Sequence, residues 1–396
     1  MDRPKYILPL IVFSQFAGTS LWFAGNAILP DIQQQIQLDN TAPGNITAAI
    51  QLGFIAGTLL FALLSVADRF SPSRVFFISS LLAAGANAAI IWLVKDVFSL
   101  MAFRFVTGFF LAGIYPVGMK IAADWYEKGL GKTLGYLVGA LVLGTAFPHL
   151  LKASAWHFSW QKIILFTSLF AVAGGLLVLL FIKDGPYRKP GQGFHPKNIG
   201  HIFRSKDFRS AAFGYFGHMW ELYAFWAFVP FALTLNNSYT GQTINIPLWS
   251  FIIIASGTAS CIAGGYLSQK IGSARVAFYS LLVSGTCCGL SFLFLKTSPL
   301  VFLPFLLTWG IAVVADSPQF SALVAQTAPQ QYKGSALTMV TCIGFAITIG
   351  SIQLLNYFFA HFPDNKNIFL LLAPGPLFGL LFLYRLVRKK NDTSRN

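Results

Sequence analysis

Ala67-Asp68-Arg69-Phe70-Ser71-Pro72-Ser73-Arg74 is a short polar break between two long apolar segments. Ser268-Gln269-Lys270-Ile271-Gly272-Ser273-Ala274-Arg275 is a second version of it. Arg69 aligns with Lys270, Arg74 with Arg275 and Val75 with Val276, each 201 residues further on. Two other registers agree: Pro30 with Pro230 at 200, and Lys132 with Lys333 at 201. In a chain of 396 residues that offset is half the length. A period so long indicates a duplicated membrane domain rather than a solenoid.

Composition agrees. Hydrophobic residues make up 55% and charged residues 10%, with a mean hydropathy of +0.64. Soluble domains carry about 25% charged residues, so the chain belongs in a bilayer. Met1 to Lys5 leads straight into a spanning segment, with no cleavage site of a secretory signal after it. Cys261, Cys287, Cys288 and Cys342 lie inside apolar segments at no metal-like spacing and read as small packing residues.

Segments of roughly 20 apolar residues recur as Tyr6–Pro30, Gly44–Val66, Val75–Val94, Val97–Ala122, Lys132–Leu151 and Trp160–Ile182. They recur again as Ser210–Leu235, Ile246–Leu267, Val276–Leu295, Leu300–Val324, Gly334–Phe359 and Ile368–Leu386. The fold class is therefore an all-α membrane protein of twelve transmembrane helices in two pseudo-symmetric six-helix bundles. Residues 1–183 form the first bundle, 184–209 a basic, proline-bearing linker (Pro186, Pro190, Pro196), and 210–396 the second bundle with a basic tail. The tail from Arg385 reads as disordered. The net charge of +15 is topological, since 22 of the 28 Lys and Arg fall in or beside one set of loops. By the positive-inside rule both termini face the cytoplasm, as expected in a bacterial inner membrane. Nucleic acid is not an implied partner.

The six-plus-six plan, the basic central loop and the 67–74 motif resemble the major facilitator superfamily. Its loop pattern is Gly-x-x-x-Asp-Arg-x-Gly-Arg-Arg/Lys. Asp68, Arg69 and Arg74 match, whereas Leu64 and Ser65 stand where Gly is expected and Ser71-Pro72 replaces Gly-Arg. In the second copy Gly264, Gly265, Gly272 and Arg275 match, and Gln269 replaces the acid. Arg104-Phe105-Val106-Thr107-Gly108 fits the family's span-four pattern. The resemblance implies alternating access by rocking of the halves, with Asp68, Arg69, Arg74, Lys120, Asp124, Lys270 and Arg275 as gate residues. Asp68 is expected to latch onto a helix N-terminus of the other half. It also implies that spans one, four, seven and ten line the cavity, where Trp22, Asn26, Tyr115, Trp226 and Trp309 stand as candidate substrate contacts. Tyr115-Pro116-Val117-Gly118-Met119-Lys120 followed by Asp124-Trp125-Tyr126 is similar to members that carry organic anions. Gly135, Gly139, Gly144 and Pro148 on span five lack the Gly-Pro pair of the drug antiporters.

An ionisable residue inside hydrocarbon costs several kcal/mol unless paired or hydrated. Glu221 lies about 16 Å into span seven, near the midplane. His218 is one turn away on the same face. The pair is expected to take up or release a proton at working pH; the bland reading is an interhelical hydrogen bond. Arg104, about 10 Å inside span four, needs a carboxylate, carbonyls or an anionic substrate. In the family this Arg is tied to conformational or proton coupling. Asp316 precedes Ser317-Pro318, where proline frees carbonyls, and stands as a candidate substrate ligand or a helix-end gate contact; Lys120 is a candidate partner for it, or pairs with Asp124.

These residues point to a secondary transporter of a small organic solute, coupled to protons through Glu221 and expected to act as a monomer in the bilayer. The alternative is a proton-independent uniporter or organic-anion exchanger with Arg104 as substrate ligand. A non-transporting receptor or membrane hydrolase is the remote third. No phosphate-cradling Gly-rich loop, metal set or cofactor motif is present, so neither an enzyme nor an ATP-driven pump is implied.

Overall fold

In the computed structural model, residues 4–36, 38, 39, 41–126, 130–154, 158–188, 199–362 and 364–393 are described. Eleven helices among them are long and apolar enough to cross a bilayer: α1 (Ile7–Gln33), α2 (Ala42–Leu63), α3 (Pro72–Leu93), α4 (Val97–Trp125), α5 (Gly131–Ala153), α6 (Trp160–Phe181), α8 (Ile246–Ile271), α9 (Ser273–Phe294), α10 (Pro299–Thr327), α11 (Lys333–His361) and α12 (Ile368–Arg388). The twelfth is α7 (Lys206–Thr240), which carries His218 and Glu221 and extends past both ends expected for it. Its centre is buried between neighbours, so it needs less apolar surface than a lipid-facing helix.

Packing repeats with the sequence. Within the first six helices α1 packs on α5 and α6, α2 on α4, and α3 on α4 and α6. Within the second six, α7 packs on α11 and α12, α8 on α10, and α9 on α10 and α12. The two sets meet along α5–α8 and α2–α11.

Glycine sets the α2–α4 distance. A Cβ on Gly53 would lie 1.9 Å from the Phe105 carbonyl oxygen, and one on Gly108 would lie 2.0 Å from that of Ile50. The two backbones touch, the small-residue packing that membranes favour. Gly53→Ala is expected to cost at least about 1–3 kcal/mol by overpacking. Gly85→Ala, with nothing within 4 Å of its Cβ, should leave the melting temperature unchanged or slightly raised. Thermal unfolding of both variants in detergent checks the pair.

Several elements depart from their expected limits. Pro30 and Pro230 do not end their spans; each lies inside a helix that continues beyond it. Three helices are interrupted instead: α1 over Ser20–Phe23, α4 over Ala112–Ile114 and α10 at Asp316. Pro116 and Pro318 restart the last two within the first turn, where the missing N–H costs nothing. The segment from Arg385, expected to be disordered, continues as helix to Thr393. Pro190 and Pro196 of the central segment lie outside the described residues. Ser65 adopts φ 52°, the left-handed conformation that glycine takes without strain. That geometry accounts for glycine being expected in this turn.

The end of the bundle that carries Ser65 and Asp68 is the basic end. There α5 and α8 meet closely: Thr258 donates to the Gly139 carbonyl at 3.1 Å, the Tyr136 and Tyr266 hydroxyls lie 3.0 Å apart, and Lys132 sits 4.5 Å over the Tyr266 ring. At the far end α11 caps α2. Asn356 accepts from the Gly44 N–H at 3.2 Å and donates to the Thr41 carbonyl at 2.8 Å, while Gln353 donates to Asn45 at 3.1 Å. Between these contacts Trp22 stacks on Phe345 at 5.7 Å and 26°, and Tyr223 lies 5.7 Å from the same indole.

Candidate functional site

A cavity of about 30 Å³ lies between the halves, lined among others by Tyr115, Tyr215, Tyr223, Trp226, Ser317 and Phe345. These come from α4, α7, α10 and α11. None of its lining residues carries a permanent charge. It has room for a water or two.

Behind the cavity, inside the second half, two acidic groups are fully buried. Glu221 accepts from Trp309 Nε1 at 2.6 Å and Cys288 Sγ at 3.2 Å through Oε1, and from Ser284 Oγ at 2.9 Å through Oε2. Ser284 and Cys288 are one turn apart on α9, so both reach the same carboxyl group. Asp316, at the interruption of α10, faces His218, whose Nδ1 lies 2.9 Å from Oδ1; exposures are 0% and 1%. His218 Nε2 is 2.8 Å from Ser317 Oγ. Neither Asp316 oxygen makes a well-aligned hydrogen bond among the described residues. The carboxyl group sits at the N-terminus of the second segment of α10, where partial positive charge from backbone N–H groups favours it.

The first half holds the counterpart with opposite charge. Arg104 is 0% exposed. Nη1 donates to Asn87 Oδ1 at 3.1 Å, and Nη2 to the Leu21 carbonyl at 3.0 Å and to the Trp22 carbonyl. Those carbonyls belong to the interruption of α1, so the guanidinium satisfies acceptors that the missing helical turn leaves open. Leu21 corresponds to Glu221 at the repeat offset of 200, and Asn87 to Cys288 at 201. The two halves thus bury a cation and an acid at related positions.

The structure regroups the residues singled out in the sequence. His218 pairs with Asp316, not with Glu221 one turn away. Lys120 is not the partner of Asp316: it forms an ion pair with Asp68 at 2.9 Å. Its alternative, Asp124, is buried and makes no ion pair with Lys120 among the described residues; its backbone carbonyl accepts the Tyr187 N–H at 3.0 Å. Asp68 therefore reaches within its own half rather than to a helix N-terminus of the other half, and Arg188 of the central linker donates to its carbonyl at 3.0 Å. Arg69, Arg74 and Lys270 are exposed at the basic end, and Arg275 is half-buried. Tyr115 and Trp226 line the cavity; Trp22 stacks between the halves; Asn26 donates to Thr47 at 2.8 Å; Trp309 serves Glu221. Ser284, Cys288 and Ser317 were missed. The only sequence signal was the repeat offset linking Cys288 to Asn87.

Interrupted helices around a midplane chamber, two repeated six-helix sets and buried charges define a membrane transporter. The chain belongs to the Major Facilitator Superfamily, whose family model matches residues 11–352. Its fold is similar to that of the human organic anion transporter MFSD10 (TETRAN), with a TM-score of 0.72 and 13% identity over 96% of this chain and 100% of that one. It is also similar to a bacterial homologue of the human lysosomal transporter Spinster. The inward-facing unoccupied form gives 0.66 at 15% identity over 98% and 96% of the two chains. The occupied form gives 0.66 at 14% over 100% and 98%. At these identities the likeness concerns the fold alone. No curated protein sequence matches the chain.

Proposed function

We propose that this protein is a proton-coupled secondary transporter of a small organic solute, working by alternating access with the basic end at the cytoplasmic face of a bacterial inner membrane and acting as a monomer. One observation carries the reading. The core of the second half buries two carboxyl groups, Glu221 and Asp316, with a single imidazole, His218, paired to Asp316. With His218 cationic and both acids ionised, the cluster holds one negative charge in excess, inside hydrocarbon where an uncompensated charge is costly. One bound proton removes the excess. The cluster is therefore a proton carrier whose loading state differs between an enclosed and a hydrated conformation.

Arg104 supports this reading by being occupied. Both of its terminal nitrogens are committed to α1 and Asn87, which leaves an anion-exchange role without a free bidentate fork. MFSD10 is named for organic anions, so anions belong in any substrate screen.

The test begins with thermal shifts of the purified protein against solutes grouped by charge; a ligand at 100 times its Kd adds about 2.7 kcal/mol. The solute with the largest shift is then taken into proteoliposomes carrying an entrapped pH dye. Proton movement that accompanies solute movement is the expected result. Solute flux without any proton movement overturns the proposal in favour of a uniporter or anion exchanger.

A further inference from the structure

We infer that Ser317 is the port through which protons pass between the central chamber and the buried His218–Asp316 pair. The inference rests on the proton-coupled reading above and adds the route. Ser317 lines the chamber, whereas His218 and Asp316 do not. Its Oγ lies 2.8 Å from His218 Nε2, and the opposite ring nitrogen, Nδ1, lies 2.9 Å from Asp316 Oδ1. Hydroxyl, imidazole and carboxyl group are consecutive neighbours from chamber to core.

The pair is otherwise enclosed. His218 is 1% exposed and Asp316 0%, and the neighbouring rings of Phe320 and Tyr215 pack beside the imidazole at 5.4 and 6.0 Å between centroids. The titratable groups facing the pair are Glu221 and Tyr215 on α7 and Cys261 on α8; beyond Tyr215 stand Tyr115 on α4 and Cys342 on α11. Among these Glu221 is held by Ser284, Cys288 and Trp309, and Cys261 donates to the Val314 carbonyl. Neither bridges to the chamber.

The transfer balances. A hydronium ion in the chamber gives its proton to Ser317 Oγ as the hydroxyl proton passes to His218 Nε2. The Nδ1 proton then passes to the Asp316 carboxylate. Water remains in the chamber, the imidazole is neutral again as its other tautomer, and Asp316 carries the proton. Unloading runs the same steps in reverse: Asp316 returns its proton to Nδ1 as the Nε2 proton passes to Ser317 Oγ and the hydroxyl proton to water, which restores the starting tautomer.

The test uses the full-length protein in a lipid film, followed by infrared spectroscopy after a pH step. Asp316→Asn and Glu221→Gln assign the two carboxyl C=O bands. In the wild type the Asp316 band is expected to follow the step. Ser317→Ala should slow it by about tenfold or more with its final amplitude unchanged, and Ser317→Thr should restore the rate. A wild-type rate in Ser317→Ala, or equal slowing in the alanine and threonine variants, overturns the port while leaving proton coupling in place. If neither carboxyl band responds between about pH 5 and about pH 9, the port and the proton-coupled reading fall together.

Discussion

Glu221→Gln is expected to leave the protein folded and to abolish accumulation driven by a pH gradient. The amide oxygen retains the bonds from Trp309 and Cys288, and the Ser284 hydroxyl rotates to accept from the amide nitrogen and to donate to the Leu281 carbonyl, so the three donors around the group keep partners. What disappears is one of the two negative charges that draw a proton into the cluster. With one proton moved per solute, each pH unit across the membrane is worth 1.36 kcal/mol and supports about tenfold accumulation. In the variant that ratio should fall to about one, while counterflow of labelled solute at equal pH continues. Accumulation at the wild-type level in Glu221→Gln would remove this residue from coupling and leave the His218–Asp316 pair to carry it. Glu221→Leu is the contrasting change. It strips the acceptor from three donors and is expected to lower the melting temperature as well, because buried unsatisfied groups cost about 1–3 kcal/mol each.

Arg104→Ala carries the second large effect, and it falls on stability. The carbonyls of Leu21 and Trp22 and the side chain of Asn87 lose a charged donor at one stroke. Hydrogen bonds to charged groups contribute about 1.5–3 kcal/mol each, so a loss of roughly 3 kcal/mol or more is expected. Arg104→Lys should recover little of it. A compact ammonium group cannot span acceptors on α1 and α3 as the planar fork does. A thiol-reactive dye that reports exposure of the four buried cysteines during heating measures both variants. A folded Arg104→Ala protein with a wild-type melting temperature and no solute binding would instead make Arg104 a substrate ligand.

The two residues were equally conspicuous in the chain, as lone charges in apolar segments. Their different uses depend on what faces them. The carbonyls that hold Arg104 exist because α1 loses a turn at Ser20–Phe23, a stretch with no proline to announce the break. The donors that hold Glu221 come from α9 and α10, 63 to 88 residues away. His218 illustrates the same limit. Helical spacing placed it beside Glu221, yet its ring turns towards α10 and meets Asp316, a partner 98 residues on in the chain. The reach of Lys120 to Asp68 follows from the tight turn between α2 and α3 folding back under α4.

By itself the sequence determined the bilayer environment, the number and order of spans, the duplication and the family. Those properties follow from the local rule that a backbone in hydrocarbon must satisfy its own hydrogen bonds within apolar helices, and from an offset written into the residues. Tertiary structure alone decided which buried charge meets which partner, where α1, α4 and α10 break, and that Ser317 touches both the chamber and His218. A helix exposes every face to some neighbour, and spacing along it names the face without naming what lies opposite. Only the packing of one half against itself and against its twin supplies that neighbour.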